Sequence, residues 1–218
     1  MRVAILDRAG ESIAKDGEAI VRASERERLL RAADGDDEAM RQIYREHVDA
    51  VFRTACRVLG ANDAEVDDVV QHTFLAAIDG APRFDGRSRL STWLIGIATR
   101  RALDHARARH RRGRWARLKE WVGLGSGTED HAGRPDAHLE GKSVAERALA
   151  ELTPDQRVVF VLHQVEGHTL QEIADMTDTG ISTLHARLGA ARKRLDAFLA
   201  REGAAGSERG ASEEGGAR

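Results

Sequence analysis

The chain has 218 residues, with 34 Lys and Arg against 36 Asp and Glu, a formal charge of −2. Only 9 residues are aromatic and 35 are Ala, so strand formers are scarce and a large β-sandwich or barrel is excluded in favour of an all-α fold. The single Cys56 excludes an intrachain disulfide and a multi-Cys zinc site, and suits a reducing cytoplasm. No apolar run approaches the roughly 20 residues of a membrane span, and Val3–Leu6 is too short for a secretory core.

The near-zero net charge hides segregation. Asp34 to Asp79 carries 11 acidic and 4 basic side chains, net −7; Arg83 to Lys119 carries 12 basic and 2 acidic ones, net +10. The basic stretch is a candidate polyanion site. The acidic stretch would repel DNA and is expected to face solvent or a basic protein. Composition divides the chain into an N-terminal extension (1–25, loosely ordered), a helical domain (26–112), a flexible linker (113–142), a second helical domain (143–202) and a disordered tail (203–218).

In the first domain, a short helix over 27–33 is expected to end at Asp34-Gly35-Asp36. A second follows with Met40, Ile43, Tyr44, Val48, Val51, Phe52, Ala55 and Leu59 at helical spacing, stopped by Gly60. A third starts near Asn62-Asp63, with acids in its first turn. On a 100° wheel, Val66, Val69, Val70, Thr73, Phe74, Ala77 and Ile78 share one side. Asp68, Gln71, His72, Leu75 and Asp79 share the other, which places an apolar anchor in a polar face, as in protein interfaces.

A loop marked by Pro82 and Gly86 follows, bearing Arg83, Phe84, Arg87 and Arg89. Ser91 or Thr92 is expected to cap the next helix. That helix begins apolar on nearly every side (Trp93 to Ala98), then turns basic with Arg100, Arg101, Arg107, Arg109, Arg111 and Arg112. A core-anchored element with an Arg-rich end suits backbone phosphates.

In the second domain, a short helix over 146–152 is expected. Thr153-Pro154-Asp155-Gln156 and Thr169-Leu170-Gln171-Glu172 then read as capping boxes. The turn Thr177-Asp178-Thr179-Gly180 and a longer helix from Ser182 or Thr183 complete a helix-turn-helix pattern. Leu184, Leu188, Ala191, Leu195, Phe198 and Leu199 form the inward stripe of the long helix. Ser182, Ala186, Gly189, Ala190 and Lys193 centre the outward face, with Arg187 and Arg194 on one rim and His185 and Arg192 on the other. Small central residues admit a major groove, and basic rims reach phosphates.

Together the two halves resemble a bacterial sigma factor of the sigma-70 family, extracytoplasmic-function (ECF) group, over about 27–112 and 143–200. Asp68-Val-Val-Gln-His-Thr-Phe-Leu75 is similar to the family's Asp-Leu-Val-Gln-Glu-Thr-Phe-Leu. Phe84-Asp-Gly, Ser91-Thr-Trp-Leu94 and Ile97-Ala98 resemble the segment that melts and holds the −10 element. Leu152-Thr-Pro-Asp-Gln156, Glu172-Ile-Ala174, Leu184-His-Ala-Arg-Leu188 and Ala191-Arg-Lys-Arg-Leu195 resemble the −35 reader.

The resemblance implies a sigma region 2 bundle and a sigma region 4 helix-turn-helix, two weak DNA-binding domains whose joint affinity polymerase raises through effective concentration. It implies core-polymerase contacts, on clamp and flap, through Asp68, Gln71, His72, Leu75 and Asp79. It implies −10 contacts through Arg83, Phe84, Arg87, Arg89, Arg100, Arg101 and Arg107. It implies −35 contacts through Ser182, Thr183, His185, Ala186, Arg187, Arg192, Lys193 and Arg194. Core RNA polymerase, promoter DNA and an anti-sigma factor are the implied partners.

The chain departs from the family pattern at His72 (usually Glu), Ile95 and Arg100 (frequently Tyr and Asn), His185-Ala186 (frequently Lys-Ser) and Ser182 (frequently Gly). Trp115 and Trp121 either anchor the linker on a partner or pack on the first domain. The alternative function is a stand-alone helix-turn-helix regulator, against which the basic 81–112 segment argues. No enzyme is expected. His163 and His168, like His105 and His110, lack the four-residue spacing of paired helical ligands, no glycine-rich phosphate motif or Cys–His set exists, and no cofactor or metal is implied.

Overall fold

The computed structural model describes residues 3–60, 63–121 and 143–214, with side chains described over 17–60, 63–115 and 143–203. These residues are helical, without strands: α1 (Val3–Ala33), α2 (Asp37–Leu59), α3 (Val66–Gly80), α4 (Leu90–Trp121), α5 (Val144–Ala150), α6 (Pro154–Phe160), α7 (Leu170–Thr177) and α8 (Ile181–Glu214). They form two compact units, one within Met1–Arg57 and Ala61–Ala102, the other within Val58–Gly60 and Leu103–Arg218.

In the first unit α1 is one long helix, where a loose extension and a short helix were expected. Its inward positions are Glu25, Leu29 and Ala32, at helical spacing. The first of these is a carboxylate, so hydrophobic periodicity did not register it. The helix ends as the Asp-Gly-Asp signal requires. Gly35 takes φ +95°, its N–H bonds the Ala32 carbonyl, and the Asp36 N–H bonds that of Arg31. Asp36 then caps α2, its Oδ1 accepting from Glu38 N and Ala39 N at 3.0 Å each.

The apolar stripe of α2 buries Ala39, Ile43, Val51, Ala55, Val58 and Leu59, whereas Tyr44 and Phe52 stay largely exposed. Val66, Val69, Val70, Thr73, Phe74 and Ala77 of α3 are buried. The first half of α4 completes the core with Leu90, Leu94, Ile95, Ala98 and Ala102. Burying a leucine of this kind removes about 1.5–3 kcal/mol of exposed apolar surface from water.

In the second unit three capping boxes start three helices: Ser143 with Glu146, Thr153 with Gln156, and Thr169 with Glu172. The first lies at the edge of the linker, and α5 accordingly spans Val144–Ala150 rather than 146–152. After α6 the chain widens into a turn with an i→i+5 bond from Glu166 N to Val161 O, and Gly167 at φ +80° ends it.

Asp178, not Gly180, adopts the left-handed conformation (φ 49°) between α7 and α8. Asp tolerates that region because its short polar side chain bonds locally. α8 starts at Ile181, one residue before the expected caps, and its backbone remains helical to Glu214 beyond the expected break at Gly203. Leu184, Leu188, Ala191 and Phe198 are buried, but Leu199 is 54% exposed and does not belong to the inward stripe.

Similarly, α4 runs on to Trp121, through what composition marked as the start of the linker. The rest of that linker, 122–142, lies outside the described residues, as does 215–218 of the tail. No helix among the described residues is long and apolar enough to cross a membrane.

His47 on α2 is half-buried, and burial holds its imidazole below its ordinary value although Glu46 and Glu25 pull it upward. With the folded value below the unfolded one, the unfolded chain binds the extra proton first, and stability is lost as pH falls below about 6.5. We expect the urea midpoint, followed by circular dichroism, to fall between about pH 7 and pH 5 and His47→Gln to flatten that slope.

Candidate nucleic-acid interface

The acidic face of α3 is built by the same periodicity that fills the core. Asp68, Gln71, His72, Leu75 and Asp79 are all exposed, and Leu75 shows 57% of its surface. Asp68 is not an isolated charge, since its Oδ2 accepts from Arg101 Nη2 of α4 at 3.0 Å. The face therefore combines an apolar centre with a carboxylate fixed by a neighbouring helix.

After α3 a short 3₁₀ turn, Ala81–Arg83, leads into the loop before α4. Gly86 takes φ +74°, which favours glycine there; Arg83 and Arg87 are exposed, and Arg89 is half-exposed with its guanidinium on Glu25. Phe84, named above among the −10 contacts, lies inside the loop. Its ring is 2% exposed and lies 5.0 Å from that of Trp93, so it is a core residue of the loop rather than a free platform for a base. An aromatic on a basic loop carries no sequence signal that separates the two uses.

α4 starts at Leu90, before Ser91 and Thr92, and its first N–H is satisfied from elsewhere: Leu90 N donates to Glu25 Oε2 at 2.9 Å. Of the basic residues assigned to this element, Arg100 is exposed, Arg101 binds Asp68, and Arg107 binds Asp155. Trp115 is 64% exposed, and the side chain of Trp121 lies outside the described residues.

In the second unit the outward face of α8 presents Ser182, Thr183, His185, Ala186, Arg192, Lys193 and Arg194 to solvent. Nothing touches a Cβ placed on Gly189, so this face is open at its centre. Arg194 donates to the Glu151 carbonyl at 3.1 Å.

Arg187 is half-buried because it pairs with Asp155 at 3.0 Å, and Arg107 binds the same carboxylate at 2.6 Å. Burial pushes the Asp155 carboxyl up, but the hydrogen bond from Arg107 and the charges of both arginines outweigh it and leave it below the usual carboxylate range. The same bond raises Arg107 further. Asp155 thus gives these two guanidiniums the kind of charge-assisted contact that guanidiniums also make with phosphate oxygens. Sequence reasoning used this residue only as part of a helix start.

Nearby, Arg157 donates to the Leu149 and Val58 carbonyls, and burial together with repulsion from Arg109 pushes it down to about 10. Arg109 donates to the Leu59 carbonyl, so two arginines satisfy the last carbonyls of α2.

The family models for sigma-70 region 2 and sigma-70 region 4 match residues 43–112 and 142–195. The chain belongs to the sigma-70 family, in its ECF group. It is 32% identical over 174 residues to the ECF RNA polymerase sigma factor SigC of Mycobacterium tuberculosis, covering 78% of this chain and 87% of SigC. The solved structure of CnrH in complex with the cytosolic domain of CnrY superposes with a TM-score of 0.55 at 26% identity, covering 81% of this chain and 97% of CnrH. The sigma factor RpoE of Bartonella quintana, solved with the anti-sigma factor NepR, shares the fold with a TM-score of 0.50 at 23% identity, over 73% of this chain and 95% of RpoE.

The chain is therefore a sigma factor, which binds core RNA polymerase and directs promoter-specific initiation, and the stand-alone regulator is not favoured. Its model match in the first half contains α3, the Arg loop and the first part of α4. The match in the second half contains α5 to the middle of α8.

Asp155→Asn removes a competitor from two arginines. Part-exposed pairs are worth about 0.5 kcal/mol each, so the variant is expected to bind duplex DNA about fivefold more tightly than wild type in low-salt fluorescence anisotropy.

Proposed function

We propose that three surfaces divide the work of this sigma factor. The exposed face of α3, centred on Leu75, docks on the polymerase clamp. The Arg83–Arg89 loop and the basic part of α4 engage the −10 element, without Phe84 as a stacking group. The outward face of α8, with Ser182 and Thr183 at its start, Ala186, Gly189, Ala190 and Lys193 along its middle, Arg187 and Arg194 on one rim and His185 and Arg192 on the other, reads the −35 element in the major groove. The observation that carries this reading is the α8 face: small side chains at the centre, arginines at the rims and buried leucines behind. That is the shape and charge of a groove-reading helix.

The protein acts in the cytoplasm and is held inactive by a protein inhibitor. CnrH, to which it is similar, was solved with the cytosolic domain of another protein bound. The chain carries no chemistry of its own in initiation, and its contribution is binding energy and geometry.

Two substitutions separate the surfaces. Leu75→Asp places a charge in the centre of the docking face and is expected to weaken core-polymerase binding by at least ~2 kcal/mol, roughly thirtyfold, in a titration with labelled protein. Arg187→Ala is expected to leave that affinity unchanged and to lower transcription from a −35-dependent promoter about tenfold. Co-purification of the Leu75→Asp protein with polymerase at wild-type levels would remove α3 from the interface.

A further inference from the structure

Glu25 is the one carboxylate among the described residues with less than a tenth of its surface exposed. It sits on α1, ahead of the segment matched by the region 2 model, which begins at residue 43. A buried charge needs strong partners to offset its desolvation. Both oxygens of Glu25 have them, and both partners lie more than sixty residues away in sequence. Oε1 accepts from Arg89 Nε at 3.0 Å, with Arg89 Nη2 also 3.0 Å away. Oε2 accepts from the Leu90 backbone N–H, the first of α4.

The carboxylate therefore serves α4 as an N-terminal cap supplied by another helix, and its charge lies at the positive end of the α4 dipole. The next residue along α1, Arg26, donates from Nε to the Phe84 carbonyl at 2.9 Å. At Gly86 a Cβ would lie 3.7 Å from the Arg22 carbonyl oxygen, so the loop runs against the backbone of α1. The loop is thus bonded at its start and its end to one stretch of α1, and its middle passes close to the same stretch.

From this geometry we infer that Glu25 is a positioning residue for promoter opening. It fixes the Arg83–Arg89 loop, and the guanidinium of Arg89 in particular, in the arrangement that engages the −10 strands. The inference rests on the assignment of that loop to the −10 element. Glu25 occupies the Nε edge of Arg89, while about half of the arginine side chain (49%) remains exposed to solvent. The side chain is thereby aimed before DNA arrives. Without the carboxylate, three arginines on a short loop repel one another and the first turn of α4 loses its cap. Pre-aimed groups matter most where a duplex has to be opened and least where the strands are already apart.

The test uses the full-length protein with core polymerase and compares Glu25→Ala, Glu25→Gln and Arg87→Ala/Arg89→Ala with wild type. Three readouts are taken: affinity for core, run-off transcription from a duplex promoter, and transcription from the same promoter with mismatched, premelted −10 bases. Glu25→Ala is expected to bind core within about twofold of wild type, to lose at least ~10-fold on the duplex, and to recover to within about threefold on the premelted template. Glu25→Gln, which keeps an acceptor for Leu90 N but not the charge on Arg89, is expected to fall between.

Wild-type transcription of the duplex by Glu25→Ala overturns the inference. So does an equal loss on both templates, or a loss of core binding, since either marks a residue needed only for folding. If Arg87→Ala/Arg89→Ala also leaves the duplex reaction untouched, the −10 assignment of the loop fails. If only the arginine variant is defective, the assignment stands and the role of Glu25 falls.

Discussion

The first unit is organised around the burial of the apolar start of α4. Leu90, Leu94, Ile95 and Ala98 can leave water only if the polar groups at the head of the helix are satisfied, and the chain does this with a carboxylate from α1. Once that end is fixed, the Arg loop before it is fixed as well, because Arg89 and Leu90 share the same carboxylate. The helix start and the basic loop thus depend on the same carboxylate.

The second unit solves a similar problem with short elements. α5, α6 and α7 have seven, seven and eight residues, too few to be stable alone. Each begins with a reciprocal capping box, and each leans on the buried stripe of α8 or on the turn that follows α6. The long helix exposes a face of small and basic residues while Leu184, Leu188, Ala191 and Phe198 are buried behind it. Asp155 adds a local balance of charge by holding Arg187 and Arg107 in the absence of phosphate.

Much of this was legible in the amino-acid order. Of the seven residues the α3 wheel placed inward, all but the half-buried Ile78 are buried and its five outward ones are exposed, and Thr153-Pro154-Asp155-Gln156 and Thr169 to Glu172 marked two helix starts. Those signals are local, and local rules read them. What escaped was long-range or ambiguous. Glu25 looked like one charge among many in a mixed stretch, because its partners stand at positions 89 and 90. The role of Phe84 on the basic loop was open in the sequence, because the Trp93 ring it packs beside is nine residues away. The turn at Thr177 to Gly180 was marked by composition, but its left-handed residue, Asp178, was not singled out. Leu199 fitted the stripe by spacing, but it is exposed.

The central claim is that this chain confers promoter choice on core polymerase. Its most direct test is transcription by purified bacterial core polymerase on a genomic fragment library, with and without the protein, with start sites mapped by sequencing. The account predicts saturable complex formation and a small set of discrete starts that appear only with the protein and share spaced −10 and −35 sequences. Sequence-specific DNA binding by the free protein, with no complex formation and no new starts, would contradict it.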